Sequence, residues 1–365
     1  GRESAVMTEP VTQELGMVGL GGSVGTPPEG VEAEILAVSG SAELEARADE
    51  ARGKIVLFDP PWEGYGSVVK YRGIGAIMAA RVGAVAALVR SATGNSLATP
   101  HTGVMRYEEG VPRIPAAALT VEDAGRIHRL ARRGVPVRVR LTMEARTEGK
   151  VEDANVVADL IGRERPEEIV LLGCHLDSWD VGTGAHDDGA GCAIVAGAAV
   201  LLERLDLRPR RTVRVVLFAA EELGGHGGHA YVAAHRDEVP LHVAALESDS
   251  GGYAPDGFSA RATPEVISRL GVLAEPLERV GAHRVRSGWA GVDIDPLVDL
   301  GVPGIAHRTD NGPYFDLHHS PADTFDKVDP TEIAANVAAV AALVWQLAEE
   351  EVPLAGGEAV VGAGR

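Results

Sequence analysis

Through the second part of this 365-residue chain, short apolar runs alternate with helical stretches, and that alternation leaves few folds open. The runs lie in NVVADLIG, EEIVLLG, TVRVVLFAA, HVAALES and VPGIAHR. Among them the pattern predicts helices over about 189–205, after 228, over 264–280 and over 330–350. Runs of this length bounded by turns read as strands buried on both faces, and strands separated by helices pair in parallel. Residues 151–352 are therefore expected to be α/β, with a mixed, mostly parallel sheet flanked by helices. Ligands of such sheets collect at the carboxyl ends of the strands.

Those ends carry the residues that matter. The run EEIVLLG leads into CHLDSWDVGTGAHDDGAG, which puts His175 and Asp177 at a strand end and Asp187 and Asp188 at the start of the next helix. TVRVVLFAA ends in Glu221 and Glu222, and HVAALES is followed by Asp249. A histidine pair, His318 and His319, precedes the last helix. Isolated buried carboxylates are costly, so acids converging on one sheet edge require protons or a cation.

Ahead of a polar linker at 148–153 the pattern changes. Strands are predicted near 32–40, 53–59 and 84–91, and in VPVRVRLTMEA, where Val137, Val139, Leu141 and Met143 alternate with Arg138, Arg140, Thr142 and Glu144. Two helices are predicted, one over 67–82 and one over 121–133, the second with Thr120 as N-cap, Asp123 in the capping-box position and Gly134 as the stop. This part reads as a small α/β or β-rich module without a compact set of metal-ligand types.

Composition removes other classes. A net charge of −19 and the lack of a basic stripe among aromatics exclude a nucleic-acid partner. No apolar run reaches the roughly 20 residues of a membrane span. Cys174 and Cys192 are the two cysteines, too few for a disulfide framework, and read as buried thiols. The first residues, GRESAVMTEP, lack the pattern of a signal peptide.

With these residues in place, the chain resembles the zinc-dependent exopeptidases that include aminopeptidases and glutamate carboxypeptidase-like enzymes, and within them the carboxypeptidase Q branch. The likeness runs through SAVMTEP, GTPPEG, EARGKIV, PHTG and TVEDA to HLDSWDVGTGAHDDGAG, AEELGG, ESDSG, GVPG and HHSPADT, nearly the whole chain. It implies two zinc ions: His175 and Asp249 completing one site, Glu222 and His319 the other, with Asp187 bridging both. Glu221 would be the general base, and Asp177 the carboxylate that orients His175 and fixes its tautomer. A cis peptide between Asp187 and Asp188 is implied as well. His319 is preferred to His318 because it stands four residues before Asp323, as the family pattern requires. His186, His226, His229 and His318 read as loop or packing residues, Asp188 as a helix cap, and Trp179 and Asp180 lie near the site. Trp289 stands where some relatives place an oxyanion-binding tyrosine, and reads here as core packing or pocket wall.

The resemblance further implies a short-peptide substrate, a carboxypeptidase Q-like dipeptidase activity and a homodimer that is secreted or periplasmic. An aminopeptidase of the same family, or a non-catalytic receptor-like ectodomain, are the alternatives. Residues 1–150 would be a protease-associated (PA) domain with a flanking peptidase segment, 151–352 the di-zinc peptidase domain and 353–365 a flexible tail. In relatives the PA domain is inserted into the peptidase domain. The chain is thus expected to open within a longer protein, with an incomplete sheet edge or helix layer and its metal ligands retained.

Overall fold

A computed structural model describes residues 1–310 and 312–354; from residue 355 onward, the expected tail lies outside the described residues. The chain divides into two compact units, Gly1–Val151 with Phe315–Ala322, and Glu152–Tyr314 with Asp323–Arg365.

The first unit holds strands β1 (Glu3–Glu9), β2 (Gln13–Leu15), β3 (Met17–Gly19), β4 (Val31–Val38), β5 (Ile55–Phe58), β6 (Ala86–Arg90), β7 (Ala116–Leu119) and β8 (Arg138–Met143). They form one sheet in the order β2-β1-β8-β4-β5-β6-β7-β3, parallel from β4 to β7 and antiparallel elsewhere. On β8 the predicted alternation holds: Val139, Leu141 and Met143 are buried and Arg140 is exposed. The helices are α1 (Ser41–Ala46), α2 (Tyr65–Arg81) and α3 (Val121–Arg132). Thr120 caps α3 by accepting the Asp123 N–H at 3.2 Å, and Gly134, at φ +73°, follows its end in the left-handed region that glycine favours.

In the second unit β9 (Val156–Leu160), β10 (Arg165–His175), β11 (Arg211–Phe218), β12 (His242–Glu247), β13 (Pro255–Arg261), β14 (Val285–Ser287) and β15 (Gly304–Thr309) make a sheet ordered β14-β13-β15-β12-β10-β11-β9. The centre, β15-β12-β10-β11, is parallel, while β9 and β13 join it antiparallel. This is the mixed, mostly parallel sheet expected. The last seven residues of β10 are all buried, as a strand covered on both faces requires. The helices are α4 (Ala190–Arg204), α5 (His226–Ala234), α6 (Pro264–Ala274), the short α7 (Asp295–Val298) and α8 (Tyr314–Leu317) at the unit boundary, and α9 (Pro330–Glu349).

Three features differ from expectation. The helix predicted over 264–280 ends as α6 at Ala274, because Pro276 cannot continue the backbone ladder and the chain tightens into a 3-10 turn over Glu275–Val280. The helix placed after 228 starts at His226. The stretches Ala185–Arg204 and Pro330–Glu349 are, by length and composition, apolar enough to cross a membrane, although no such run was read in the sequence. Their apolar side chains, among them Ile194, Val195, Ala198, Val340, Leu343 and Val344, are buried in the core that also takes Val170, Leu172 and Val213 from the sheet.

Candidate metal centre

The parallel register lines up the strand ends of the second unit. His175 closes β10 level with Phe218, the last residue of β11, and Gly173 is level with Glu247, the last of β12. Side chains at or just past these positions therefore meet on one edge. His175 Nε2 lies 3.3 Å from Asp187 Oδ1 and 3.8 Å from Asp249 Oδ1. Donor atoms of these three residues all fall within 4.8 Å of one another. Nitrogen and oxygen ligands bind zinc at about 2.0–2.2 Å, so donors sharing one ion sit roughly 3–4 Å apart, and this trio fits.

The imidazole of His175 is set for such a role. Its Nδ1–H donates to the Asp177 carbonyl oxygen at 2.9 Å, which leaves the Nε2 lone pair turned toward the acids. Burial opposes a charge on the ring, but the carboxylates of Asp187 and Asp249 outweigh it and hold its pKa well above the ordinary value. An imidazole so surrounded takes up a proton or a metal cation.

Asp187 and Asp188 occupy the turn Ala185–Gly189 before α4, both with non-helical backbone angles, and the peptide bond between them is cis. Asp323 grips this turn: its carboxylate accepts the N–H of His186 at 2.8 Å and of Asp187 at 3.1 Å. Asp188 accepts the N–H of Gly191 at 3.1 Å, as a cap does, and that of His175 at 3.2 Å, which ties the helix start to the strand end.

Glu221 and Glu222 follow β11. Their backbone N–H groups donate to the two carboxylate oxygens of Asp177, at 2.9 and 3.1 Å. Asp177 was expected to orient His175 through its carboxylate, but that group is 3.8 Å from Nδ1 and the carbonyl does the orienting. The acid is engaged by the turn after β11 instead. Glu221 is pushed up to about 8 by burial, with the charges of Asp249, Glu222 and Asp187 adding to the effect. Glu222 accepts the indole N–H of Trp179 at 2.6 Å.

His319 belongs to the 315–322 segment of the first unit rather than to the unit that holds the other candidates. Its carbonyl accepts the Thr102 N–H at 2.9 Å, and its Nδ1 lies 3.2 Å from both the Thr102 carbonyl and Arg72 Nη1. With the proton on Nδ1, donated to Thr102, Nε2 keeps a lone pair. His318 stacks on it at 3.6 Å between ring centroids. Trp289 is 41% exposed and is not core packing; its carbonyl accepts the Ser259 hydroxyl.

Sequence reasoning missed four supports of this edge. Tyr314, past the end of β15, donates its hydroxyl to Asp249 Oδ1 at 3.3 Å, and the strand-end rule that found Asp249 could have found it. Glu247 is a buried acid in an apolar strand, a visible anomaly; its carboxylate accepts the N–H groups of Val292 and Ile294 at 2.9 and 3.0 Å. Asp293 is buried within that loop and pushed up to about 8 by burial, then by the Glu221 charge. His307 links Ser248 and Asn336, each at 3.0 Å. The Asn336 amide donates to the Tyr253 and Glu332 carbonyls, so its oxygen accepts from His307 Nε2–H and the Ser248 hydroxyl donates to Nδ1.

Residues 155–344 match the model of Peptidase family M28. Carboxypeptidase Q of Mus musculus is 43% identical over 355 residues, which cover 97% of this chain and 76% of that protein. Among solved structures, a peptidase M28 precursor from Shewanella amazonensis aligns with a TM-score of 0.93 at 39% identity, covering 97% of this chain and 82% of the other. BSAP, a zinc aminopeptidase from Bacillus subtilis, aligns with a TM-score of 0.68 at 18% identity, over 97% of this chain and 84% of its own, a likeness of fold. With its strand-end acids and histidine at the edge these comparisons span, the chain belongs to Peptidase family M28 and is a metallopeptidase.

Proposed function

We propose that the chain is a di-zinc exopeptidase that hydrolyses dipeptides or other short peptides, with Glu221 as general base. The observation that carries this reading is the convergence of His175, Asp187 and Asp249 on one point at a sheet edge. His175 and Asp249 would hold one zinc ion, Glu222 and His319 the second, and Asp187 both. The case for His319 rests on its place in HHSPADT and on the Thr102 carbonyl beside its Nδ1. Bound zinc supplies a Lewis acid and makes hydroxide available near neutral pH. Glu221, a buried acid whose affinity for protons is raised, would take the proton of the attacking water and return it to the leaving amine. Asp177 would hold Glu221 and Glu222 by their backbones.

Likeness to carboxypeptidase Q over 97% of the chain favours dipeptides with free termini over longer substrates. The same likeness supports a homodimer, and a PA module in the first unit.

The test is metal content together with a peptide panel. Protein loaded with zinc should carry two ions per chain and cleave dipeptides faster than tripeptides or N-blocked dipeptides. Turnover should vanish with chelator and return with zinc. Glu221→Gln should keep both ions and lose activity on the order of a hundred- to ten-thousand-fold. A protein that binds zinc without chelator-sensitive turnover would be a receptor-like domain, and one that prefers long peptides with free amino ends an aminopeptidase.

A further inference from the structure

Behind the metal-ligand edge the two cysteines meet. Cys174 is the penultimate residue of β10 and Cys192 lies in the first turn of α4; their Sγ atoms are 2.6 Å apart, across an 18-residue separation in sequence. Thiols that only pack, or share an S–H hydrogen, stand farther apart than that, while a disulfide bond is about 2.03–2.05 Å long. The distance is close to a bond. Cys192 Sγ is also 3.1 Å from the His175 carbonyl oxygen, so the pair sits directly under the ligand residue.

We propose that Cys174 and Cys192 are a disulfide-forming site whose co-reactant is a low-molecular-weight disulfide such as oxidised glutathione, and that the bond closes the loop carrying His175, Asp177 and Asp187. Access sets the order of events, because Cys174 is buried and Cys192 only partly so. The Cys192 thiolate attacks one sulfur of the glutathione disulfide and releases one glutathione thiolate. The Cys174 thiolate then attacks Cys192 Sγ in the mixed disulfide, forms the intramolecular bond and releases the second glutathione. Two protein thiols are oxidised, one disulfide is reduced to two thiols, and the two thiol protons pass to solvent or to the departing thiolates.

The consequence follows from chain geometry. Closing the loop limits how far the strand end and the helix start can separate, and the proposed ligands His175 and Asp187 sit on those two elements. That second step rests on the metal-site reading; the pairing of the sulfurs does not.

The experiment starts with the purified full chain equilibrated with oxidised glutathione, denatured in excess alkylating agent and weighed. Neither cysteine should be alkylated, the mass should be two hydrogens below that of the dithiol, and digestion should yield one peptide pair joined through Cys174 and Cys192. After dithiothreitol both should alkylate. Two alkylated cysteines in the oxidised sample, or glutathione retained on Cys192 alone, would overturn the pairing whether or not the protein proves to be a dipeptidase. In a chelator competition the oxidised protein should release zinc several-fold more slowly than the reduced protein, and Cys192→Ser should release it at one rate under both conditions. Equal rates for oxidised and reduced wild type would overturn the effect on the loop.

Discussion

The carboxylate of Asp177 accepts the backbone N–H of Glu221 at 2.9 Å, so the residue two beyond one strand end fixes the turn after the next. Its second oxygen does the same for Glu222 at 3.1 Å. Asp177→Asn should break this clamp, because an amide offers one acceptor oxygen where two are used and brings an N–H₂ group against an N–H. Partners that orient ligands typically contribute about 10- to 100-fold, and a fall of that size in kcat/KM is expected, with some loss of zinc. Unchanged kinetics and metal content would show that the turn holds itself.

How much of this was legible in the residues varies with the kind of signal. The central strands were readable, since runs such as IVLLG need cover on both faces, and the acids that follow them stand out against apolar neighbours. β1, β2, β3, β7, β13 and β14 were not. PDGFSAR and VRS carry little apolar character because they lie toward the sheet edge, and the all-alanine start of β7 has no strand preference of its own. The seven site residues came from strand-end position and family likeness, whereas the carbonyl of Asp177 that orients His175 could not, because backbone acceptors leave no trace in residue type. Nor could the approach of Cys174 to Cys192, which depends on how α4 is set against β10.

Tyr314→Phe isolates one support of a proposed ligand. The phenol donates to Asp249 at 3.3 Å, a long bond to a charged acceptor, and the ring is buried. Removing the hydroxyl keeps the packing and frees the carboxylate to rotate. Zinc affinity, measured by competition with a chromophoric chelator, should fall about tenfold, equivalent to about 1.4 kcal/mol. An affinity equal to wild type would mean that Asp249 is held by other contacts.

Protons and metal should both offset the negative charge at this edge, and stability of the metal-free protein reports it. Glu221 and Asp293 sit at about 8 in the folded chain, against ordinary values of 4.5 and 3.8. A raised folded value gives stability that is whole below the unfolded pKa and lost as pH rises through the folded one. His101 and His307 are depressed to about 4 by burial, so their contribution is present above 6.5 and lost on the way down to 4. Between pH 6.5 and 8 those two histidines add little slope, while the acids and His175, itself held well above its ordinary value by Asp187 and Asp249, all act in the same direction. Chelator-treated protein should therefore lose stability across that interval, by up to about 1.4 kcal/mol per pH unit for each proton released. Zinc, whose positive charge at this edge would favour the ionised forms of Glu221 and Asp293, should flatten or reverse the trend. Melting temperatures of metal-free protein that rise from pH 6.5 to 8 would contradict the buried-acid account.

Two glycine substitutions in helices of the second unit should act in opposite directions. Alanine is favoured over glycine inside a helix by about 1 kcal/mol, so Gly271→Ala in α6, where a Cβ would meet nothing within 4 Å, should stabilise by about that amount. Gly191, in the first turn of α4, has no such room. A Cβ there would lie 2.0 Å from the Ser248 carbonyl oxygen and 2.2 Å from Asp188 Oδ1. One is backbone and the other is a buried carboxylate bonded to two N–H groups, so neither can move aside cheaply. Overpacking of this kind costs about 1–3 kcal/mol, enough to outweigh the helical gain. Because Ser248 and Asp188 adjoin Asp249 and Asp187, the strain should also reach the metal-ligand edge. Gly191→Ala is expected to lower the denaturant midpoint and weaken zinc binding together, while Gly271→Ala raises the midpoint and leaves zinc binding alone. If both variants were stabilised, the close approach of α4 to the end of β12 would be wrong.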